Sequence, residues 1–124
     1  MPTEPATTAI TLYGLNHCDT CKKARKWLDA AGLAHQFIDY RQHPIAAETL
    51  KAWAASLGWD ALINRAGSTW RNLPANRKQP GTAAEYLLLV REYPSLLRRP
   101  ITLWGERLQL GFSHGLYEKL RAQA

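Results

Sequence analysis

Cys18 and Cys21, three positions apart, are the only cysteines in a chain of 124 residues. They follow the apolar run Ile10-Thr11-Leu12-Tyr13 and open a helical pattern from Lys22 to Ala31. A thiol at the first turn of a helix faces N–H groups with no partner inside the helix, and those groups favour thiolate over thiol. A free thiol with a pKa near 8.5 is only about 3% ionised at pH 7, whereas one lowered to roughly 6 is mostly thiolate, a gain of more than tenfold in nucleophile. Cys18 is therefore the candidate nucleophile. Cys21 falls on the apolar helix face and has two readings, a thiol that resolves a disulfide formed at Cys18 or a plain core residue. Zinc is the other common use of Cys-x-x-Cys, but a zinc site needs about four ligands. No second cysteine pair exists, and His17, His35, His43 and His114 are scattered without ligand spacing, so no metal is expected. His17 beside the nucleophile could carry charge or move a proton, its ordinary pKa lying near 6.5, or be an exposed loop residue. Asp19 suits the first turn of a helix, and Asn16 can hold the loop through a bond to backbone.

The elements that must position these residues read as β-α-β, a helical middle, then β-β-α. Ile10 to Tyr13 is a short strand ending at Gly14, and Cys21, Ala24, Leu28 and Ala31 recur at helical spacing until Gly32. Gln36 to Tyr40 is the second strand, and a strand, a crossover helix and a strand imply parallel pairing. After His43-Pro44, a helix carries Leu50, Trp53, Ala54 and Leu57 on one face and closes at Gly58. Trp59 to Leu62 and Ser68 to Leu73 are short helical turns around the Arg65-Ala66-Gly67 bend. Ala83 to Glu92 is expected to turn Ala84, Leu87 and Leu88 inward and to end near Pro94. Ile101 to Leu103 and Leu108 to Leu110 flank Trp104-Gly105-Glu106-Arg107 as a hairpin. The last helix, from about Ser113 to Arg121, uses Leu116, Tyr117 and Leu120. Trp104, in the hairpin turn, is the tryptophan expected to be most exposed. Residues 1–8 read as a flexible N-terminus and 9–124 as a single domain with a helical insertion at about 44–95.

This order, with Cys-x-x-Cys at the first helix, is the α/β plan of a thioredoxin-like fold with a mixed sheet. The chain resembles the arsenate reductase-like ArsC/Spx/YffB superfamily over nearly its whole length. The resemblance is carried by Thr11-Leu12-Tyr13-Gly14, by Asn16 to Arg25, by Arg65 to Leu73 and by Leu97-Arg98-Arg99-Pro100-Ile101. Thr69-Trp70-Arg71 and Leu110-Gly111-Phe112-Ser113 are most similar to the YffB branch. The resemblance implies that Cys18 is the redox-active cysteine and that Arg65 and Arg99 line an oxyanion pocket, where a guanidinium both holds a thiolate and binds anionic oxygens. Arg65 also has a simpler reading, capping a helix end or pairing with an acid. Pro100 matches the cis proline that such folds place opposite the active cysteine. Asn16, His17 and Lys22 complete the expected substrate-binding set. A third pocket arginine of arsenate reductases falls at Leu110 here, a loss of about 1.5–3 kcal/mol if a charge-assisted hydrogen bond goes with it. That departure moves the expected substrate from arsenate toward a carboxylate-bearing thiol. The resemblance implies a thiol-dependent oxidoreductase with no bound cofactor, using glutathione as reductant or cosubstrate, with glutaredoxin as a further partner. Its alternative is a Spx-like redox-sensing regulator that binds the C-terminal domain of the RNA polymerase α subunit.

Composition bounds both readings. With 46% hydrophobic residues the chain suits one compact core. No apolar stretch approaches membrane-spanning length and the opening residues lack the pattern of a secretory signal, so a cytoplasmic, monomeric protein is expected. Net charge is +6, sixteen basic residues against ten acidic, which could serve anionic ligands or acidic surfaces. Direct nucleic-acid binding is not expected, because there is no helix-turn-helix spacing, paired zinc ligand set or aromatic-basic strand pattern.

Overall fold

The computed structural model describes residues 9–123, and the expectation for residues 1–8 lies outside it. The chain divides into two compact units, one of residues 9–38 with 99–123 and one of 39–98. The first unit holds a four-stranded mixed sheet in the order β2-β1-β3-β4. β1 is Ile10–Gly14, β2 Gln36–Asp39, β3 Ile101–Trp104 and β4 Arg107–Leu110. β1 and β3 run antiparallel with Ile10 opposite Trp104 and Tyr13 opposite Ile101, and β3 and β4 are antiparallel with Ile101 opposite Leu110. The mixed character therefore lies in the β1–β2 pair, joined through the crossover helix α1, Asp19–Ala30. This is the thioredoxin-like arrangement expected from the element order.

The period of the apolar residues explains which faces are buried. β1 alternates buried and half-buried residues, with Ile10 and Leu12 inward. Cys21, Ala24 and Leu28 put one stripe of α1 into the core. Gly32, at φ +71°, stops the helix in the left-handed region that glycine adopts readily. Ile10, Leu12, Ala24, Leu28, Trp104, Tyr117 and Leu120 form the core of this unit, with Trp27, Leu33, Phe37 and Phe112 packed against it. Tyr117, on α6 (His114–Gln123), sits at its centre. Three aromatic rings meet it edge to face: Trp27 at 5.5 Å, Trp104 at 5.9 Å and Phe112 at 4.7 Å. Its hydroxyl shares a 2.6 Å hydrogen bond with Thr102, the buried polar residue of β3.

Trp104 corrects the expectation of exposure, since it is only 3% exposed. The hairpin turn is shorter than the four residues the sequence suggested. β3 runs through Trp104 and only Gly105-Glu106 remain for the turn, so Trp104 keeps its inward place in the strand alternation.

The second unit is helical. α2 (Ala47–Leu57) buries Leu50 and Trp53, and Gly58 ends it at φ +88°. α3 (Trp59–Leu62) and α4 (Ser68–Arg71) are single turns. α5 (Ala83–Glu92) starts with a side-chain cap: Thr82 Oγ1 accepts from the Glu85 N–H at 3.2 Å, and the Glu85 carboxylate accepts from the N–H of Gly81, the residue before the cap, at 3.2 Å. An antiparallel bridge between Ile63 and Leu97 ties the middle of this unit to its C-terminal end, reinforced where Arg98 N–H donates to Leu62 O at 2.9 Å. The inward face of α5 is a second correction. Tyr86, Leu89 and Val90 are buried, while Ala84 and Leu88 are exposed and Leu87 is half-buried. Tyr86 through Val90 is an unbroken apolar run, so spacing alone could not choose the face; the parallel stack of Tyr86 on Trp59, with centroids 5.0 Å apart, decides it. No helix among the described residues is long and apolar enough to cross a membrane.

Candidate active site

β1 delivers the chain at Gly14, and Leu15-Asn16-His17 turn it into α1. Cys18 is the N-cap of that helix, with extended backbone (φ −84°, ψ 122°), and its Sγ accepts from the Cys21 N–H at 3.4 Å. A sulfur at the N-cap thus takes the place usually held by a serine or aspartate oxygen. Burial is the largest influence on the Cys18 thiol and opposes ionisation. It is outweighed by the Cys21 N–H and side chain, the positive charge of Arg99 and the Thr20 N–H, which together hold Cys18 below the ordinary thiol value. Cys21 is the opposite case. It is 1% exposed, and burial pushes its thiol up to about 12, assisted by hydrogen bonding and charge from Cys18 and opposed by the Leu15 backbone and Arg99. Both cysteines are reduced. The pair is therefore asymmetric, a half-buried Cys18 that ionises more readily than a free thiol and a buried Cys21 that holds its proton.

The Arg99-Pro100 peptide bond is cis, as the resemblance implied, and Pro100 is buried with its carbonyl accepting from the Gly111 N–H at 2.9 Å. The first unit thus gathers Cys18, Cys21, Arg99 and Pro100 with Asn16, His17 and Lys22, the last three exposed at its surface. Leu110, where the resemblance places a third arginine, ends β4 half-buried opposite Ile101. Arg65 belongs to the second unit, where it pairs with Asp60 at 2.8 Å, donates to the Tyr86 hydroxyl at 2.9 Å and lies over the Trp70 ring at 4.8 Å. Its acid pairing, one of its two readings in the sequence, is present; its assignment to substrate rests on the resemblance alone.

Sequence reasoning missed the packing role of Gly14, taken only as a strand end. A Cβ at Gly14 would lie 2.5 Å from Cys21 Sγ and 3.3 Å from the Phe37 ring. The signal was the glycine itself, placed where a strand must approach a helix closely. Gly14→Ala is expected to destabilise the protein by about 1–3 kcal/mol through overpacking. Adding Cys21→Ala should recover part of that loss, which urea unfolding of the single and double variants would measure. A Gly14→Ala protein as stable as the parent would contradict this packing.

Comparison with known proteins agrees with the geometry. A solved YFFB protein superposes with a TM-score of 0.83 and 38% identity, covering 90% of this chain and 98% of its own. An arsenate reductase (ArsC) related protein from Brucella melitensis gives 0.73 and 37%, over 94% and 97%. The global transcriptional regulator Spx of Enterococcus faecalis is 32% identical over 106 residues, 84% of this chain and 80% of that one. Relatives of this kind thus include both arsenate reductase-like proteins and regulators. The ArsC family model matches residues 13–120, from the end of β1 into the last helix, and the chain belongs to the ArsC family.

Proposed function

We propose that the protein is a glutathione-dependent thiol reductase that works through Cys18. The observation that carries this reading is the asymmetry of the pair: Cys18 caps a helix beside Arg99 and is held below the ordinary thiol pKa, while Cys21 keeps its proton up to about 12. In the proposed cycle the Cys18 thiolate attacks the glutathionyl sulfur of a mixed disulfide. The substrate sulfur leaves as a thiolate and takes a proton from solvent, and a Cys18–glutathione disulfide forms. A glutathione thiolate then attacks the glutathionyl sulfur, releasing glutathione disulfide and restoring Cys18. One substrate disulfide is reduced for each glutathione disulfide released. Arg99 holds the thiolate in the resting state and again when it leaves in the second step. Leu110 in place of an arginine supports a thiol rather than arsenate as substrate.

Incubation with glutathione disulfide at pH 7, followed by peptide mass spectrometry of the parent and of Cys21→Ala, tests the reading. A single glutathione adduct on Cys18 is expected in Cys21→Ala. Absence of that adduct in both proteins would overturn it.

The identity with Spx supports a second reading, in which oxidation of Cys18 and Cys21 switches a surface that binds the polymerase α C-terminal domain. That domain would be retained on the immobilised protein, with affinity that changes on oxidation. The reductase reading expects no such retention in either redox state.

A further inference from the structure

Helix α5 carries apolar residues on two sides. Tyr86, Leu89 and Val90 are buried, whereas Ala84, Leu87, Leu88 and Arg91 recur three and four apart on another side. Leu88 is 52% exposed and is the only large apolar side chain so exposed among the described residues. This second stripe lines a cleft of about 710 Å³, shared with Pro44, Ile45 and Leu50, and every lining residue belongs to the 39–98 unit. Tyr40 and Leu97 also line it, with the Tyr40 hydroxyl donating to Leu97 O at 2.9 Å and so committed within the protein. The only charged residues of the lining are Arg41 and Arg91. Neither has an ion-pair partner among the described residues.

We infer that this cleft binds a free aliphatic carboxylate, its chain along the Leu87-Leu88 stripe and its head between Arg41 and Arg91. The volume lies within the range of clefts that hold small ligands, and such sites combine an apolar lining with a few polar groups that fix orientation. Two arginines with no acid in the lining select an anion. A second copy of this chain is the wrong occupant on charge grounds, since it would bring the same arginines and a net charge of +6 to the face.

Isothermal titration of the full chain with dodecanoate, below its micelle concentration, tests the inference. Saturable one-to-one binding is expected. Decanoate, two methylenes shorter, should bind about fifteenfold more weakly, since each methylene removed from an apolar site is worth roughly fourfold. The paired substitution Arg41→Ala with Arg91→Ala should weaken dodecanoate about tenfold while leaving uncharged dodecanol unchanged. Leu88→Glu should abolish both, and Cys18 alkylation should proceed at the parental rate in every variant. Absence of saturable binding, equal affinity for dodecanoate and dodecanol, or indifference to the arginine pair would overturn the proposal. A parent that sediments as a dimer and becomes a monomer on Leu88→Glu would also overturn it, by making the face an interface between copies.

Discussion

Cys18→Ser is expected to abolish thiol–disulfide exchange with glutathione while leaving the fold and its stability close to the parent. A serine hydroxyl forms no disulfide, and the reactive species in exchange is the thiolate, so the loss is complete rather than graded. The fold survives for a specific local reason. Cys18 is the N-cap of α1 and its side chain accepts from the Cys21 N–H, a task that serine performs well. Cys18→Ala removes both functions, and is expected to be inactive and also about 1 kcal/mol less stable through loss of the cap. Circular dichroism during urea unfolding, run beside a glutathione-coupled exchange assay, separates the two effects. Exchange activity retained by Cys18→Ser would remove Cys18 from the chemistry.

Tyr117→Ala should cost about 3–5 kcal/mol, the range for emptying an aromatic site in a packed core. That is a large share of the roughly 5–15 kcal/mol by which single domains are usually stable. Tyr117 is fully buried and meets Trp27, Trp104 and Phe112 edge to face, so its removal leaves a cavity lined by rings that cannot all move in. It also leaves the Thr102 hydroxyl without its 2.6 Å partner. Tyr117→Phe isolates the second effect and should cost about 1–3 kcal/mol for the orphaned hydroxyl. The same residue imposes an alkaline limit. Burial pushes the Tyr117 hydroxyl up to about 12 from an ordinary value of 10.0, against the opposing Thr102 hydrogen bond and with a smaller upward contribution from Cys21. A raised acid pKa means that this stability is fully present below about pH 10 and is lost as pH rises toward about 12. Thermal melts of the parent and Tyr117→Phe across that window should converge at the alkaline end. Parallel curves would contradict the assignment.

Where local pattern and packing agree, the sequence was sufficient. β1, α1 and the Cys-x-x-Cys junction follow from an apolar alternation, a helical stripe and a glycine stop; β1 runs one residue past its expected end, and α1 starts three residues before Lys22 and ends one before Ala31. The asymmetry of the cysteines was only half legible. The helix N-terminus pointed to Cys18, but the depth of Cys21 depends on the close approach of Gly14 and Phe37, which no local pattern records. Trp104 and the face of α5 were misread for related reasons. A two-residue turn and a four-residue turn share the same residues in sequence, and a helix apolar on two sides offers periodicity no single answer. Arg65 and Arg99 were visible through resemblance rather than spacing, because 34 positions separate them and their nearest neighbours come from the fold.

The Cys18 thiol should ionise at a lower pH than a free thiol, and the Cys21 thiol at a higher one. Iodoacetamide alkylation of each cysteine in the native protein, followed by peptide mass spectrometry as a function of pH, measures this directly. Cys18 should react first, with a midpoint below that of a free thiol, and Arg99→Ala should move that midpoint upward as the stabilising charge is lost. Cys21 should stay unmodified until the protein unfolds. Equal rates at the two cysteines, or a Cys18 midpoint at or above that of a free thiol, would contradict the account.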